Sequence, residues 1–170
     1  MPYNAYWYDM AETLFRLECL EGLRSYTKQK FWFITLSVGV ISCLSSCVWL
    51  AGIFPPIICN WVILIAQIMG IVLPLLKYGE LISALNFMIP EVQKIFHEME
   101  TFFLLIDRDT TDNEIADARA SFLNRYFELE NKYLSELIPK IPKKVTLNAV
   151  NQRDRYLTER FLKAKKKVSL

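Results

Sequence analysis

The residues able to do chemistry are few and widely spaced. The single imidazole, His97, sits beside Glu98 in a charged stretch, so a site built on several imidazoles is excluded and the simplest role for the ring is structural or solvated. Asp107, Asp109 and Thr111 alternate as in a calcium loop, yet position six would be Asp112 where a glycine is needed and position twelve Ala118 where a glutamate is needed. An acidic helix turn accounts for them. Cys43 and Cys47 stand one helical turn apart, the spacing of a metal or redox pair, but both fall inside a long uncharged stretch where thiols act as small apolar groups. With Gly39 they form a small-x-x-x-small ridge suited to close helix approach. Cys19 and Cys59 lie far from them, so no disulfide framework follows. Glycine-rich phosphate loops, Ser-His-Asp or Cys-His sets and zinc spacings are all missing from the sequence. The expectation is a protein that is not an enzyme and holds no cofactor or metal.

More informative are polar side chains in apolar surroundings, because a hydroxyl or amide facing hydrocarbon loses hydrogen bonds that lipid cannot replace. Thr35, Ser42 and Ser46 fall on one helical face, separated by seven and four residues; Asn60, Gln67 and Pro74 recur every seven, with Gly70 beside them. Such stripes face protein or water. They read either as a helix–helix interface joined by amide hydrogen bonds or as the wall of a water path. Serine and threonine can also bond their own backbone carbonyls, whereas Asn60 and Gln67 need a partner. Two helices cannot enclose a channel, so conduction requires several copies.

The element that positions these residues is an uncharged run. The chain has 170 residues, 53% apolar and 22% charged, with a mean hydropathy of +0.20. From Phe31 to Leu76 no Asp, Glu, Lys, Arg or His occurs. As a helix that run would extend about 69 Å, against a hydrocarbon core of about 30 Å. Two crossings fit. Turn chemistry at Gly52-Ile-Phe-Pro-Pro56 divides it into spans expected at 31–51 and 58–76. Trp32, Trp49, Trp61 and Tyr78 fall near the four span ends, where amphipathic rings favour the headgroup layer. Arg24, Lys28 and Lys30 precede the first span and Lys77 follows the second, while the turn carries no charge, so both termini are expected in the cytoplasm. A cleavable signal peptide does not fit, since thirty residues with four acids precede the run.

The flanking sequence predicts further helices, giving an all-α fold in which a two-span transmembrane hairpin continues into a cytosolic helical hairpin. In residues 1–30, Asp9 and Glu12 are spaced like a capping pair and Met10, Leu14, Leu17, Leu20 and Leu23 follow at helical intervals, predicting an amphipathic helix over 8–28. After the spans, Leu81, Leu85, Met88, Val92, Ile95, Met99, Phe102 and Ile106 alternate steps of four and three, a heptad seam. Ile82, Ile89 and Phe103 widen it, so this helix, over 79–106, meets more than one partner. The seam is also the natural place for copies to assemble. Thr111 and Glu114 form a T-x-x-E capping box that starts a second helix, which Pro139 stops; the short 107–110 connection makes the two antiparallel. Pro74, Gly79 and Pro90 are candidate flexure points. The segment 77–138 is thus expected as a cytosolic hairpin.

The remaining segment, 139–170, opens as an extended linker over 138–144, with a final helix expected over 148–167. It carries ten Lys or Arg and two acids, among them Lys143, Lys144, Lys163, Lys165, Lys166 and Lys167, whereas residues 97–117 carry seven acids and only Arg108. The net charge of +2 therefore hides a polarised molecule. A basic tail of this kind can be a solvated face, bind anionic lipid or an acidic partner, or contact nucleic acid directly with strong salt dependence.

The helix running into Phe31, the hairpin turning at Pro55-Pro56, the long following helices and the ending Lys132-Tyr-Leu-Ser-Glu-Leu-Ile-Pro-Lys-Ile-Pro-Lys-Lys144 resemble the SLATT family of bacterial two-span membrane effectors. Similar two-span effectors accompany retrons. The resemblance is architectural and transfers no catalytic motif. It implies an effector of antiphage defence at the bacterial inner membrane that oligomerises, or is released from inhibition, and then permeabilises the membrane. The implied partners are lipid, further copies of the chain, and a cytosolic sensor, either a nucleotide-signalling enzyme or a reverse transcriptase with its RNA–DNA hybrid. The alternative is a non-conducting adaptor that anchors a cytosolic complex at the membrane.

Overall fold

A computed structural model of the chain describes residues 2–51, 55–75, 77–106, 110–135, 137 and 140–162, with the side chains at 2, 44–51, 56, 58, 59, 62, 71–75 and 162 outside the description. Five α-helices follow in order: α1 Pro2–Ala51, α2 Pro56–Leu75, α3 Tyr78–Leu105, α4 Asp112–Leu134 and α5 Lys143–Leu157, the last running into a π-helical turn at Thr158–Leu162. No strand occurs among the described residues. The all-α class expected from the sequence is the class found. The expected membrane spans stand differently: among the described residues no helix is long and apolar enough to cross a membrane.

The chain divides into two compact units, Met1–Arg24 with Ser83–Leu170, and Ser25–Ile82. The first is a four-helix bundle of the start of α1 with α3, α4 and α5. Glu98 of α3 pairs with Arg125 of α4, and Phe102 packs on Phe122, so these helices run antiparallel. Along α1 and α4, Asp9 pairs with Arg119 and Arg16 lies over the Tyr126 ring, a parallel arrangement. Along α1 and α5 the order reverses: Gly22 meets Val145, Phe15 meets Arg153 and Trp7 meets Phe161. The core consists of Tyr6, Met10, Leu14, Leu17 and Leu20 from α1, the seam of α3, and Ile115, Tyr126, Val145 and Ala149 from the other two helices.

Local chemistry explains several boundaries. At α4 the Thr111 hydroxyl accepts from the Glu114 backbone N–H while the Glu114 carboxylate accepts from the Thr111 N–H at 2.8 Å, which satisfies two otherwise orphaned donors. By contrast, α1 does not begin near Asp9. It starts at Pro2, and Asp9 and Glu12 engage Arg119 and Arg16 instead of capping. Aromatic packing holds this extra turn: Tyr6 is fully buried against Phe102 and Phe103 and donates to the Met99 carbonyl at 3.0 Å. The α5 helix likewise begins earlier than expected, at Lys143 directly after Pro142, because Val145 and Ala149 bury one turn apart. A Cβ on Gly22 would stand 2.7 Å from Val145 Cγ1, so the absent side chain is what admits α5 to this depth.

The second unit contains the rest of α1, α2 and the start of α3. Tyr78 lines one cavity together with Tyr26, Lys28, Lys30, Trp32 and Phe33, which brings the two ends of the uncharged run together. Between α2 and α3, Lys77 adopts φ 49°, the left-handed region that a branched or long side chain rarely occupies. The break therefore falls at Lys77 and not at Gly79, which is helical and has open space where a Cβ would project.

Candidate functional site

The two units differ in how they bury their apolar side chains. The unit of Met1–Arg24 with Ser83–Leu170 encloses a core, with Met10, Leu85, Met88, Val92 and Met99 at 1% exposure or less, although Tyr8, Phe87, Leu105 and Leu147 remain exposed on its outside. In the unit Ser25–Ile82, which holds the uncharged run, Trp32, Phe33, Leu36, Val40, Ile57, Trp61, Ile65 and Ile68 are all exposed, with Phe33 at 65% and Ile57 at 71%. No buried apolar side chain occurs among the described residues of 25–82. Each such residue left in water forgoes about 1.5–3 kcal/mol. Exposed apolar surface of this kind is of the type that lipid or protein covers.

The polar stripe separates into two classes. The hydroxyls of Thr35, Ser37 and Ser42 each donate at 2.8 Å to the carbonyl four residues back, at Phe31, Phe33 and Val38. These groups are satisfied inside the helix and do not require a water path. Asn60 and Gln67, seven apart on α2, are exposed and make no hydrogen bond among the described residues. Their amides are the groups that need a partner. The side chains of Ser46 and Pro74 lie outside the described residues. Cys43 is an exposed free thiol, and at the Gly39 end of the small-residue ridge an added Cβ would meet nothing within 4 Å among the described residues.

Within the bundle, the α3 seam is occupied by the chain itself. Leu85, Met88, Val92, Ile95 and Met99 are buried, so these side chains are not open to a second copy, while Phe102 and Ile106, and Leu81 in the other unit, are half-buried. The periodicity expected from sequence is present, but its partners are α1, α4 and α5. Pro90 lies inside α3 on the exposed side, where loss of its N–H bond faces water.

Sequence reasoning missed a polar hub at Glu100. This carboxylate is 6% exposed and accepts from the Tyr156 hydroxyl and from Arg160 Nε, each at 2.9 Å, while His97 Nδ1 stands 3.7 Å away. Burial, with the neighbouring Glu100 carboxylate, pushes the Tyr156 hydroxyl up to about 12, so it remains a donor. Around the hub, Phe96 meets Tyr156 edge-on and Phe161 packs edge-on against both Trp7 and Phe103, which also touch each other. The group is saturated by donors and acts as a tie holding the end of α5. Its only sequence signal was an acid at a seam-flanking position.

A cleft of about 580 Å³ lies between α1 and α4, with Phe15, Leu20, Leu23 and Leu134 as its apolar lining and Glu12, Arg16 and Glu130 at its polar side. Arg16 is already engaged by Glu12 at 3.1 Å, and burial raises the Cys19 thiol above its ordinary range, leaving it unreactive at neutral pH. No group of three or more His, Cys, Asp or Glu able to hold a metal ion occurs among the described residues. Lys143 and Lys144 are exposed in the first turn of α5, and Lys163, Lys165, Lys166 and Lys167 lie outside the described residues. No protein-family model, curated protein or solved structure matches the chain.

Proposed function

We propose that this chain is a membrane effector of bacterial antiphage defence, lodged in the inner membrane by the hairpin of residues 31–51 and 58–76 with both termini in the cytoplasm. In this reading the bundle lies in the cytoplasm, receives the signal of a sensor complex, and controls copies of the hairpin that together permeabilise or depolarise the membrane. The observation that carries it is a contrast in burial: no apolar side chain is buried among the described residues of 25–82, while the other unit encloses a core running from Tyr6 to Ala149. Lipid is the solvent in which such a surface is stable, and the in-helix bonds of Thr35, Ser37 and Ser42 suit hydrocarbon. The defence role rests on the resemblance to two-span effectors.

Assembly in this proposal runs through the hairpin, since the α3 seam is occupied. Asn60 and Gln67 are the groups that a neighbouring helix or water would satisfy. Induced expression with a membrane-potential dye tests the reading: depolarisation and growth arrest are expected when the sensor is active, and an unchanged potential contradicts permeabilisation.

A non-conducting adaptor is the second reading, favoured by the hydroxyls that are satisfied without a water path. Truncation after Leu162 separates the two while sparing the helix that closes the bundle. An effector keeps its membrane activity after that cut, whereas an adaptor working through the tail loses its partner.

A further inference from the structure

The hairpin unit holds a cavity of about 740 Å³ where the charged sequence gives way to the uncharged run. Tyr26, Lys28, Lys30, Trp32, Phe33 and Tyr78 line it, and no carboxylate among the described residues does. Lys28 and Lys30 are exposed and form no ion pair among the described residues. Lys30 Nζ lies 4.7 Å from the centre of the Tyr26 ring, a contact that positions the ammonium without neutralising it. Lys77 differs, because Glu80 stands 4.0 Å from its Nζ. Beyond the two free cations, Trp32 at 63% and Phe33 at 65% exposure begin the apolar surface.

An occupant of this cavity must carry negative charge and have hydrocarbon attached to it. The basic segment after Leu162 is excluded by its sign. We propose that the cavity is a binding site for an anionic phospholipid, its headgroup phosphate held by Lys28 and Lys30 and its acyl chains lying along Trp32 and Phe33. The hydroxyls of Tyr26 and Tyr78 are further donors lining the same space. The site rests on the membrane reading above and adds headgroup selectivity to it. Bound lipid would fix the depth of the hairpin at the point where α1 leaves the bundle.

The test uses the full-length protein in detergent micelles, with bound phosphatidylglycerol and phosphatidylcholine counted by native mass spectrometry. With each near-surface ammonium contributing about fivefold, phosphatidylglycerol is expected to bind about thirtyfold more tightly than phosphatidylcholine. The double variant Lys28→Gln, Lys30→Gln should lose that preference, while Lys77→Gln should change it less than about twofold because Lys77 does not line the cavity. Equal binding of the two lipids overturns the proposal, as does an equal loss in Lys77→Gln, which would mean diffuse attraction. Displacement of phosphatidylglycerol by equimolar inorganic phosphate also overturns it, in favour of a free-anion site. Flotation with neutral phosphatidylcholine vesicles separates the two levels: failure to float defeats the membrane reading itself, whereas flotation without headgroup preference defeats this site alone.

Discussion

Replacing Gly22 with alanine tests whether α5 closes the bundle as described. The added Cβ would stand 2.7 Å from Val145 Cγ1, about 1 Å inside the usual carbon–carbon separation. Valine in a helix has essentially one side-chain rotamer, so the clash is relieved only by moving α5. Overpacking of this kind costs about 1–3 kcal/mol, offset by about 1 kcal/mol because alanine is the better helix former. The steric term wins, for a net loss of about 1 kcal/mol. In a Val145→Ala background the obstructing methyl groups are gone, and Gly22→Ala should then stabilise the helix by up to about 1 kcal/mol. The double-mutant cycle thus predicts a coupling of about 2 kcal/mol between positions 22 and 145. Hydrogen exchange of peptides covering Lys143–Leu157 reads it directly, since α5 is the element that loosens. A stabilising Gly22→Ala in the wild-type background, or additivity of the two substitutions, would refute the close approach of α1 and α5.

Other consequences follow from the same contacts. Glu100→Leu removes the acceptor of Tyr156 and Arg160, so exchange at 156–162 should rise by the equivalent of about 1–2 kcal/mol, with α4 unchanged; equal loosening of α4 would show that the hub is not a local tie. Tyr6→Phe removes the hydroxyl's buried hydrogen bond to the Met99 carbonyl, which keeps only its in-helix donor, and should cost about 1 kcal/mol in thermal or denaturant unfolding; no loss would place the hydroxyl elsewhere. The Arg125 hydrogen bond holds the Glu98 carboxyl below its ordinary value of 4.5. A depressed carboxyl contributes stability above its unfolded value and loses it as pH falls through the folded one. The wild-type advantage over Glu98→Gln, below about 1 kcal/mol for this half-exposed pair, should be complete above about pH 5 and vanish in more acidic buffer; a pH-independent difference contradicts the pairing. Asn60→Leu with Gln67→Leu should reduce depolarisation if these amides meet water or a second copy, and undiminished activity would mean that they meet neither.

The fold was legible in the sequence where the cause was local. Thr111 and Glu114 are three residues apart, and the capping box they form is the one the spacing predicts. The α3 period was equally readable, because eight apolar positions recur on one face. What the pattern could not carry was the identity of the partner: a seam reads the same whether filled by a second chain or by α1, α4 and α5. The start of α1 was hidden for a related reason, since Tyr6 is held by residues more than ninety positions away. At α5, Pro-Lys-Ile-Pro suggested an extended linker, but Pro142 serves as the residue before the helix and burial of Val145 against Gly22 decides the rest. The candidate site was partly legible. The uncharged run marked the segment whose large apolar side chains are exposed, and the side-chain geometry then divided its polar groups into self-satisfied hydroxyls and open amides. Lys77 gave no local signal of its left-handed backbone, a conformation to which glycine, present two residues on at position 79, is better suited by type.

The claim on which the functional reading depends is that residues 31–76 enter and leave the lipid on one side. Single cysteines introduced by Phe54→Cys and, separately, by Lys30→Cys and Lys77→Cys in a cysteine-free background can be labelled in intact cells with a membrane-impermeant maleimide. Labelling at 54 without permeabilisation, and at 30 and 77 only after it, is the expected pattern. Labelling at all three positions only after permeabilisation, with the protein recovered outside the membrane fraction, would contradict the hairpin.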